Sequence, residues 1–337
     1  MASGDRGSPA QGPRLIERIR TRITDILGIR YPIMQAGMIW ASGYKLAVAC
    51  AEADILGTIG SAGMNQDLLR SQIKKAKALT KKRFAVNIPL LRSDAAELLE
   101  LTLGEGIDVI ITSAGNPAVL GPRIKKAAGV IWIHVVPSVK HGLKAQGAGV
   151  QIVVGEGFEA GGHNGVDEIT TFALIPQLAD ALSVPVAAAG GIADGRGFLA
   201  AMALGAEGIS VGTRFAATVE SSAHARYKDS IVEAPDSGTV LFAKKIAPVR
   251  ALRNRWVEEV RAAESIGATR EQLEEVYGRS HSRRGILEGD LDEGELEMGQ
   301  SSGLIREILP AREVVGKFVE EFEKSEKRVR MLTGGES

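Results

Sequence analysis

Short apolar runs alternate with longer amphipathic stretches along almost the whole chain. Most of the runs are rich in Val and Ile, apolar on both faces and closed by a small or turn-forming residue, which is the pattern of a buried parallel strand. Eight such runs, each a predicted strand, lie at residues 32–36, 55–60, 84–88, 109–113, 130–135, 150–155, 184–190 and 208–213. The pattern therefore predicts an α/β protein built on parallel strands.

The stretches between these strands have apolar residues at helical spacing. The clearest predicted helices are 67–79, 93–103, 172–182 and 197–204. A strand followed by a helix matches the βαβ unit of about 30 residues. Eight such strands by about residue 212 predict a (β/α)8 TIM barrel of the usual size, about 250 residues. The alternative is a doubly wound open sheet, which has five or six strands rather than eight.

The pattern changes after Arg214, and the chain divides there into predicted regions. Residues 15–214 are expected to form the barrel, and residues 215–303 a small helical subdomain over its mouth, with predicted helices at 220–232 and 248–264. A last helix, from Ala311 to about Leu332, is expected to return residues 304–337 to the barrel wall. Residues 1–14, rich in Gly, Ser and Pro, are expected to be a disordered tail.

Composition limits the classes of partner. Forty-one basic and 41 acidic residues cancel, so no general electrostatic attraction to nucleic acid or to an anionic membrane is expected. A single cysteine excludes an intramolecular disulfide framework and a cysteine-rich zinc site, and it fits a reducing compartment. No apolar run reaches the roughly 18 residues of a spanning helix, and the N-terminal stretch lacks the apolar region of a secretory signal. We therefore expect a cytoplasmic protein that acts on a small molecule. Its oligomeric state stays open, and a homodimer is one alternative.

Glycines cluster where the predicted strands end, which is the face of a barrel that carries its active site. Gly190 and Gly191 follow the seventh strand, and Gly212 and Thr213 follow the eighth. Barrels often bind phosphate at this position, because backbone N–H groups of such loops can surround an anion. The alternative is two tight turns that need glycine only for steric reasons. The position after strands seven and eight favours phosphate.

His163 lies in the glycine-rich loop 155–165, directly after two glycines at the same face. A histidine can act as an acid or a base at neutral pH, so the residue is a candidate for catalysis. The alternative is a histidine on a flexible surface loop.

The other candidate residues are expected to be structural or to line the pocket. His134, inside the fifth strand, is either a core residue or part of a pocket wall, and Cys50 is expected to be buried in a helix. No HxH or HExxH motif occurs, so no metal site is expected.

Taken together, the strand-end motifs resemble those of the nitronate monooxygenase (2-nitropropane dioxygenase) family of FMN-dependent barrels. The motifs are YPIMQAGM at 31–38, VNI at 86–88, SAGNP at 113–117, GFEAGGH at 157–163, AGGIADG at 189–195 and VGTRF at 211–215. Flavin-type enoyl-acyl-carrier-protein reductases and a branch of NADH:quinone reductases are related to this family. The resemblance runs from about residue 21 to residue 320.

The resemblance implies FMN as the cofactor and assigns a role to matching positions. His163 matches the catalytic histidine of the family. The residues implied to lie along the flavin ring are Gly37, Met38, Asn87, Ser113, Ala114, Gly161 and Gly162. The residues implied to bind the FMN phosphate are Gly190, Gly191, Gly212 and Thr213. Ala36, which stands where many members have glycine, and Ala189 complete the predicted cofactor-binding set.

The activity that the resemblance implies is the oxidation of an alkyl nitronate, with dioxygen as the second substrate, to a carbonyl compound and nitrite. His163 would also remove the α-proton if a neutral nitroalkane is the substrate. The alternative is an NAD(P)H-dependent reductase of an enoyl thioester or of a quinone, because VVPS at 135–138, and EGDL at 288–291 with GQSSGLI at 299–305, look more like the reductases. Asp167 and Glu168, after the histidine loop, look more like the monooxygenases. A third class is a barrel that binds a phosphate or a flavin without catalysis.

Overall fold

Eight parallel strands form the central sheet of the computed structural model, which describes residues 19–334. In chain order they are β1 (Ile33–Gln35), β2 (Gly57–Gly60), β3 (Phe84–Pro89), β4 (Val109–Ser113), β5 (Ile131–Val136), β6 (Ile152–Glu156), β8 (Val186–Ala189) and β9 (Gly208–Val211). Strand β7 (Gly162–His163) belongs to a second sheet. The predicted strands are confirmed, with ends that differ by two residues at most.

The sheet closes into a barrel. Its order is β1-β9-β8-β6-β5-β4-β3-β2, and a parallel bridge between Met34 and Leu56 joins the two end strands. The Leu56 N–H donates to the Ile33 carbonyl at 3.0 Å, and the Gln35 N–H donates to the Leu56 carbonyl at 2.8 Å. The (β/α)8 barrel predicted from the hydrophobic pattern is therefore confirmed, and the open sheet is wrong.

Helices surround the barrel and connect its strands. They are α1 (Arg22–Leu27), α2 (Tyr44–Glu52), α3 (Gln66–Leu79), α4 (Ala95–Gly104), α5 (Gly121–Lys126), α6 (Val139–Ala148), α7 (Thr171–Ala181) and α8 (Gly195–Ala203). In α3, Leu69, Ile73 and Ala76 are buried at the spacing of one helical face, and the Asn65 side chain caps the first turn. The amphipathic pattern thus fixes which side of each helix meets the sheet.

Two cores hold the barrel together. Inside it, side chains such as Met34, Ile111, Ile133 and Val154 form one apolar cluster, which the helix α1 joins through Ile23 and Leu27. A larger cluster fills the layer between strands and helices. Because neighbouring residues of a strand point to opposite faces, apolar residues on both faces of each strand supply both cores.

The last helix, α13 (Ala311–Leu332), confirms the predicted one and packs against α8 and α2. The rings of Phe198 and Phe322 lie 4.9 Å apart at this contact. Gly195 makes the approach possible, since a Cβ on it would overlap the backbone at Phe322. The helix therefore occupies the place beside the barrel that an eighth connecting helix would take.

The segment after the barrel contains strands that the sequence pattern did not predict. Its elements are α9 (Thr213–Ala216), α10 (Ala225–Glu233), β10 (Thr239–Phe242), β11 (Val249–Leu252), α11 (Arg255–Ser265) and α12 (Arg270–Tyr277). Strands β10, β11 and β7 form an antiparallel sheet, so the helix predicted over 248–264 is wrong in its first part. The sequence pattern did not separate β11 from the helix because a four-residue strand is too short to show a period of two. The helix that follows begins after Asn254, whose side chain caps it.

The predicted helix at 220–232 begins later than expected, at Ala225, after the cap formed by His224.

The division into a barrel, a subdomain and a returning helix stays a prediction, and the predicted tail, residues 1–14, lies outside the described residues. No helix within residues 19–334 has both the length and the apolar character that crossing a membrane requires.

Candidate active site

A cavity of about 630 Å³ opens at the C-terminal ends of the barrel strands. Every residue that the sequence singled out for cofactor binding or catalysis lies on its wall. They are Ala36, Gly37, Met38, Asn87, Ser113, Ala114, Gly161, Gly162, His163, Ala189, Gly190, Gly191, Gly212 and Thr213. The structure thus brings into one place residues that are up to 177 positions apart in the chain, from Ala36 to Thr213; their individual roles stay predictions.

One end of the cavity is built from the loops after β8 and β9. Gly190 and Gly191 have φ angles of +93° and +73°, which L side chains rarely adopt. Among the described residues, the N–H groups of Gly190, Gly191 and Gly212 donate to no backbone carbonyl. Thr213 Oγ1 accepts the Gly299 N–H at 2.9 Å, which leaves the hydroxyl proton free to donate. Such a group of free donors suits an anion.

Glu159 and Thr171, which the sequence analysis did not single out, fix this end. The Glu159 carboxylate accepts the Thr171 N–H at 2.9 Å. Thr171 Oγ1 lies 3.0 Å from the carbonyl oxygens of both Ala189 and Gly190. Gly190 fits tightly here, since a Cβ on it would stand 2.8 Å from the Gly157 carbonyl. The loop after β8 is therefore held in one shape by its neighbours, with its N–H groups left for a ligand.

Another part of the cavity wall is built from the ends of β1, β3 and β4. A Cβ on Gly37 would overlap the side chain of Asn87, so only glycine fits there. Ser113 Oγ donates to Asn87 Oδ1 at 3.1 Å. Ala114 has a φ angle of +48°, an uncommon conformation for a residue other than glycine. Small side chains and one oriented amide leave room for a flat group beside the backbone.

His163 lies at the mouth of the cavity on strand β7, opposite Val249 of β11. The next residue fixes the loop further: the Asn164 N–H donates to the Pro248 carbonyl at 2.8 Å, and Asn164 Nδ2 donates to the Ala160 carbonyl at 2.9 Å. The imidazole itself is exposed. The backbone of His163 is therefore held by a sheet, which argues against a histidine on an unconstrained surface loop.

Three carboxyl groups that the sequence analysis missed accompany His163. Glu156 ends β6, and Glu297 also lines the cavity, with its carboxyl group hydrogen-bonded to that of Glu295. Tyr277 donates to Glu295 Oε1 at 2.9 Å. Burial raises the pKa of Glu156 to about 7 and raises the pKa values of Glu295 and Glu297 as well. The acidic stretch 288–297 was visible in the sequence, but nothing local placed it beside His163.

The remaining candidates lie outside the cavity wall. His134 is buried in β5, where Nδ1 lies 2.7 Å from Thr112 Oγ1, and burial lowers its pKa to about 4. It is a core residue, the first of the two alternatives. Cys50 is fully buried in α2, and burial raises the pKa of its thiol. The prediction of a buried helix cysteine is confirmed.

The geometry fits a cofactor with a phosphate at one end and a flat ring system beside the mouth. Free N–H groups and a hydroxyl converge where the phosphate was expected. The wall beside His163 requires glycine, because a Cβ on Gly161 would stand 2.5 Å from the Met298 backbone. The apolar side chains of Ile111, Val135 and Ile246 line the space between, as is usual for small-molecule sites.

The chain is similar to known proteins over most of its length. A family model described as nitronate monooxygenase matches residues 20–321. Among curated proteins, a dehydrogenase of Mycobacterium tuberculosis that acts on a hydroxy-methyl-oxo-octahydroindene carboxyl-CoA is 32% identical, over 90% of this chain and 96% of its own length. A probable nitronate monooxygenase of Staphylococcus aureus is 33% identical, over 72% of this chain and 80% of its own length.

Among solved structures, FabK of Thermotoga maritima is 40% identical, with a TM-score of 0.88 over 93% of this chain and 99% of FabK. Nitroalkane oxidase of Streptomyces ansochromogenes is 25% identical, with a TM-score of 0.79 over 91% of this chain and 99% of the oxidase. Similarity therefore extends over nearly the whole described chain to proteins with more than one kind of activity.

Proposed function

The chain belongs to the nitronate monooxygenase family, as its strand-end motifs indicated, and from that premise we propose that it is an FMN-dependent oxidoreductase that uses NAD(P)H to reduce an α,β-unsaturated acyl thioester. One observation carries the choice of substrate. Two of the segments that look like the reductases reach the cavity: Val135, Val136 and Pro137 form part of its wall, and so do Gly299 and Ser301. The 40% identity to FabK over 93% of the chain supports the same choice.

FMN, when bound, would supply the chemistry of hydride transfer between NAD(P)H and the β-carbon of the substrate. The N–H groups of Gly190, Gly191 and Gly212 and the hydroxyl of Thr213 would bind its phosphate. Gly37, Asn87 and Gly162 would stand along its ring. No metal is required for this chemistry.

His163 would act on the thioester carbonyl. An imidazole N–H that donates to the carbonyl oxygen stabilises the negative charge that develops there as the β-carbon is reduced. The position of His163 at the mouth, on a strand paired with β11, suits this role because the backbone that carries the donor is held in place before the substrate arrives. The apolar wall keeps water away from the reacting carbons and strengthens that hydrogen bond.

Oxidation of alkyl nitronates with dioxygen is the second candidate. The match to the family model and the 33% identity to a probable nitronate monooxygenase favour it. In that reaction His163 would remove the α-proton of a neutral nitroalkane or orient the preformed anion. The same cavity would serve, since an alkyl nitronate is smaller than an acyl thioester.

Flavin reduction without oxygen separates the two. The purified protein, loaded with FMN, is mixed anaerobically with NADH, with NADPH and with ethyl nitronate while the yellow absorbance band is followed. We expect rapid bleaching by a pyridine nucleotide, and recovery of the band on adding crotonyl-CoA. Bleaching by ethyl nitronate alone would overturn the proposal in favour of the monooxygenase, and failure to take up FMN would overturn both.

A further inference from the structure

The register of the second sheet places Glu297 beside His163. His163 pairs with Val249, and Glu297 forms a bridge with Ala251 on the same strand. Val249 and Ala251 are two residues apart, so the backbone positions of His163 and Glu297 lie about 7 Å apart along β11. The Glu297 carboxyl group lies against Gly162, the residue before His163. Both line the cavity.

The surroundings of Glu297 favour a shared proton rather than an ion pair. Its carboxyl group hydrogen-bonds to that of Glu295, which is only 4% exposed. Burial raises the pKa values of both Glu295 and Glu297, and two neighbouring carboxyl groups do not both ionise readily, which favours one proton held by the pair near neutral pH. The titratable groups of the described chain that face the pair are Glu156 on β6, His163 on β7, Tyr227 on α10 and Tyr277 on α12.

The contacts behind the pair fix its orientation. Tyr277 donates to Glu295 Oε1 and holds that carboxyl group from the side of α12. Tyr227 donates to the backbone carbonyl of Glu297 and holds that residue from the side of α10. Glu297 is the member of the pair on the cavity wall, and Glu295, which is buried, is not part of that wall.

Reduction of a carbon–carbon double bond needs a proton as well as a hydride. We propose that Glu297 delivers that proton to the α-carbon of the substrate and that Glu295 holds it between turnovers. The inference rests on the proposed reductase function. The double bond loses its π pair, the hydride from NAD(P)H ends on the β-carbon, and the proton of the pair ends on the α-carbon. NAD(P)H is oxidised, the thioester is reduced, and water returns a proton to the carboxyl pair.

This assignment separates two tasks that one histidine would otherwise have to perform. His163 would donate to the carbonyl oxygen throughout, and Glu297 would lose a proton once in each turnover. A neutral carboxylic acid is a suitable donor here, since burial keeps the pair protonated where an ordinary glutamate would be ionised.

The test uses E297Q, with E293Q as the matched control. Glu293 belongs to the same segment, but its carboxylate pairs with Arg255. We expect E297Q to be reduced by NAD(P)H within about threefold of the wild-type rate, yet to be reoxidised by crotonyl-CoA about 10²-fold or more slowly. E293Q is expected to match the wild type in both steps. E297D, which keeps a carboxyl group, is expected to recover part of the lost rate and carries the test if E297Q fails to fold.

A second measurement does not depend on turnover. In flavin-free protein at pH 7, the infrared carbonyl band of neutral carboxylic acids is expected to be weaker in the double variant E295Q/E297Q than in E293Q. Wild-type reoxidation rates in E297Q, or equal band intensities in the two proteins, would overturn the inference. A wild-type protein that crotonyl-CoA cannot reoxidise would instead show that the proposed function has failed.

Discussion

The carboxyl group of Glu297 occupies the space that a side chain at position 162 would need. A Cβ built on Gly162 would stand 2.6 Å from Glu297 Oε2, closer than real atoms approach. Gly162 also has a φ angle of +78°, so its backbone conformation favours glycine as well. The glycine before the candidate catalytic histidine thus makes room for a carboxyl group on the same wall.

Gly162→Ala is expected to lower the free energy of unfolding by about 1–2 kcal/mol, mainly because alanine rarely adopts this left-handed backbone conformation, and it must also displace the end of the Glu297 side chain. Glu297→Ala alone removes the overlapping group. If the two residues contact each other, the double variant is expected to be more stable than the sum of the single effects predicts, by about 1 kcal/mol. Urea unfolding of the four proteins measures this coupling, and additivity within about 0.5 kcal/mol would contradict the contact.

Gly191→Asp is expected to abolish retention of FMN in a protein that still folds. Space is open around Gly191, whose nearest neighbouring atoms to an added Cβ belong to Glu159, 3.6 Å away. An aspartate would therefore place a negative charge beside the expected phosphate position, where the two anions repel each other. The absorbance ratio of flavin to protein after gel filtration measures retention.

The control for that variant is Gly129→Asp. Gly129 has a φ angle of +77°, close to the +73° of Gly191, and no atom lies within 4 Å of a Cβ built on it. The substitution therefore imposes a similar backbone strain outside the cavity wall. Full flavin occupancy in both variants would contradict the assignment of the phosphate to the loop after β8, whereas loss of flavin in both would point to strain alone.

Glu156→Gln is expected to stabilise the flavin-free protein more at high pH than at low pH. Burial raises the pKa of Glu156 to about 7 in the folded chain, against about 4.5 when unfolded. Below pH 4.5 both states are protonated and the group contributes nothing; as the pH rises to 7, the unfolded state alone loses its proton, so folding becomes less favourable. The stability gained by the variant is expected to be about 2 kcal/mol larger at pH 8 than at pH 5. A gain that does not change with pH would contradict a buried carboxyl group here.

The barrel and the glycine-rich loops of the cavity wall were predictable because the sequence patterns that indicate them are local. Each strand is a short apolar run, and each loop that follows carries its own small residues, so the topology of a barrel alone brings Gly37 and Gly212 to one cavity. The second sheet was not predictable in this way. Strand β7 has two residues, and its partner β11 is more than 80 positions away in the chain, so neither shows a period.

The positions of Glu295 and Glu297 also could not be predicted from local sequence. Glu295 and Glu297 belong to an acidic stretch that resembles a solvated surface, and only the bridge between Glu297 and Ala251 brings them beside His163. Likewise, the Asn164 hydrogen bonds that hold the histidine loop depend on a carbonyl of Pro248. A catalytic role for His163 could be proposed from its glycine neighbours, but the surroundings of His163 depend on contacts between distant segments of the chain.

His163→Ala is expected to remove chemistry while leaving the fold and the cofactor in place. The imidazole is exposed, and the hydrogen bond that fixes its loop is donated by the Asn164 N–H. The free energy of unfolding is therefore expected to change by about 0.5 kcal/mol or less. None of the groups expected to hold the phosphate is lost. Turnover is expected to fall by about 10²–10⁴-fold, the usual contribution of a positioned acid–base group.

The reaction step that His163→Ala slows most identifies the reaction that the protein catalyses. If the protein is a reductase, His163→Ala is expected to slow flavin reoxidation by crotonyl-CoA far more than flavin reduction by NAD(P)H, because only the first step charges the thioester oxygen. If it is a nitroalkane oxidiser, the loss is expected to be larger with neutral nitroethane than with ethyl nitronate, since only nitroethane must give up a proton. His141→Ala serves as the control, since His141 lies on α6 outside the cavity wall and hydrogen-bonds to Ser138. Wild-type turnover of every substrate by the His163 variant would leave the histidine without a catalytic role.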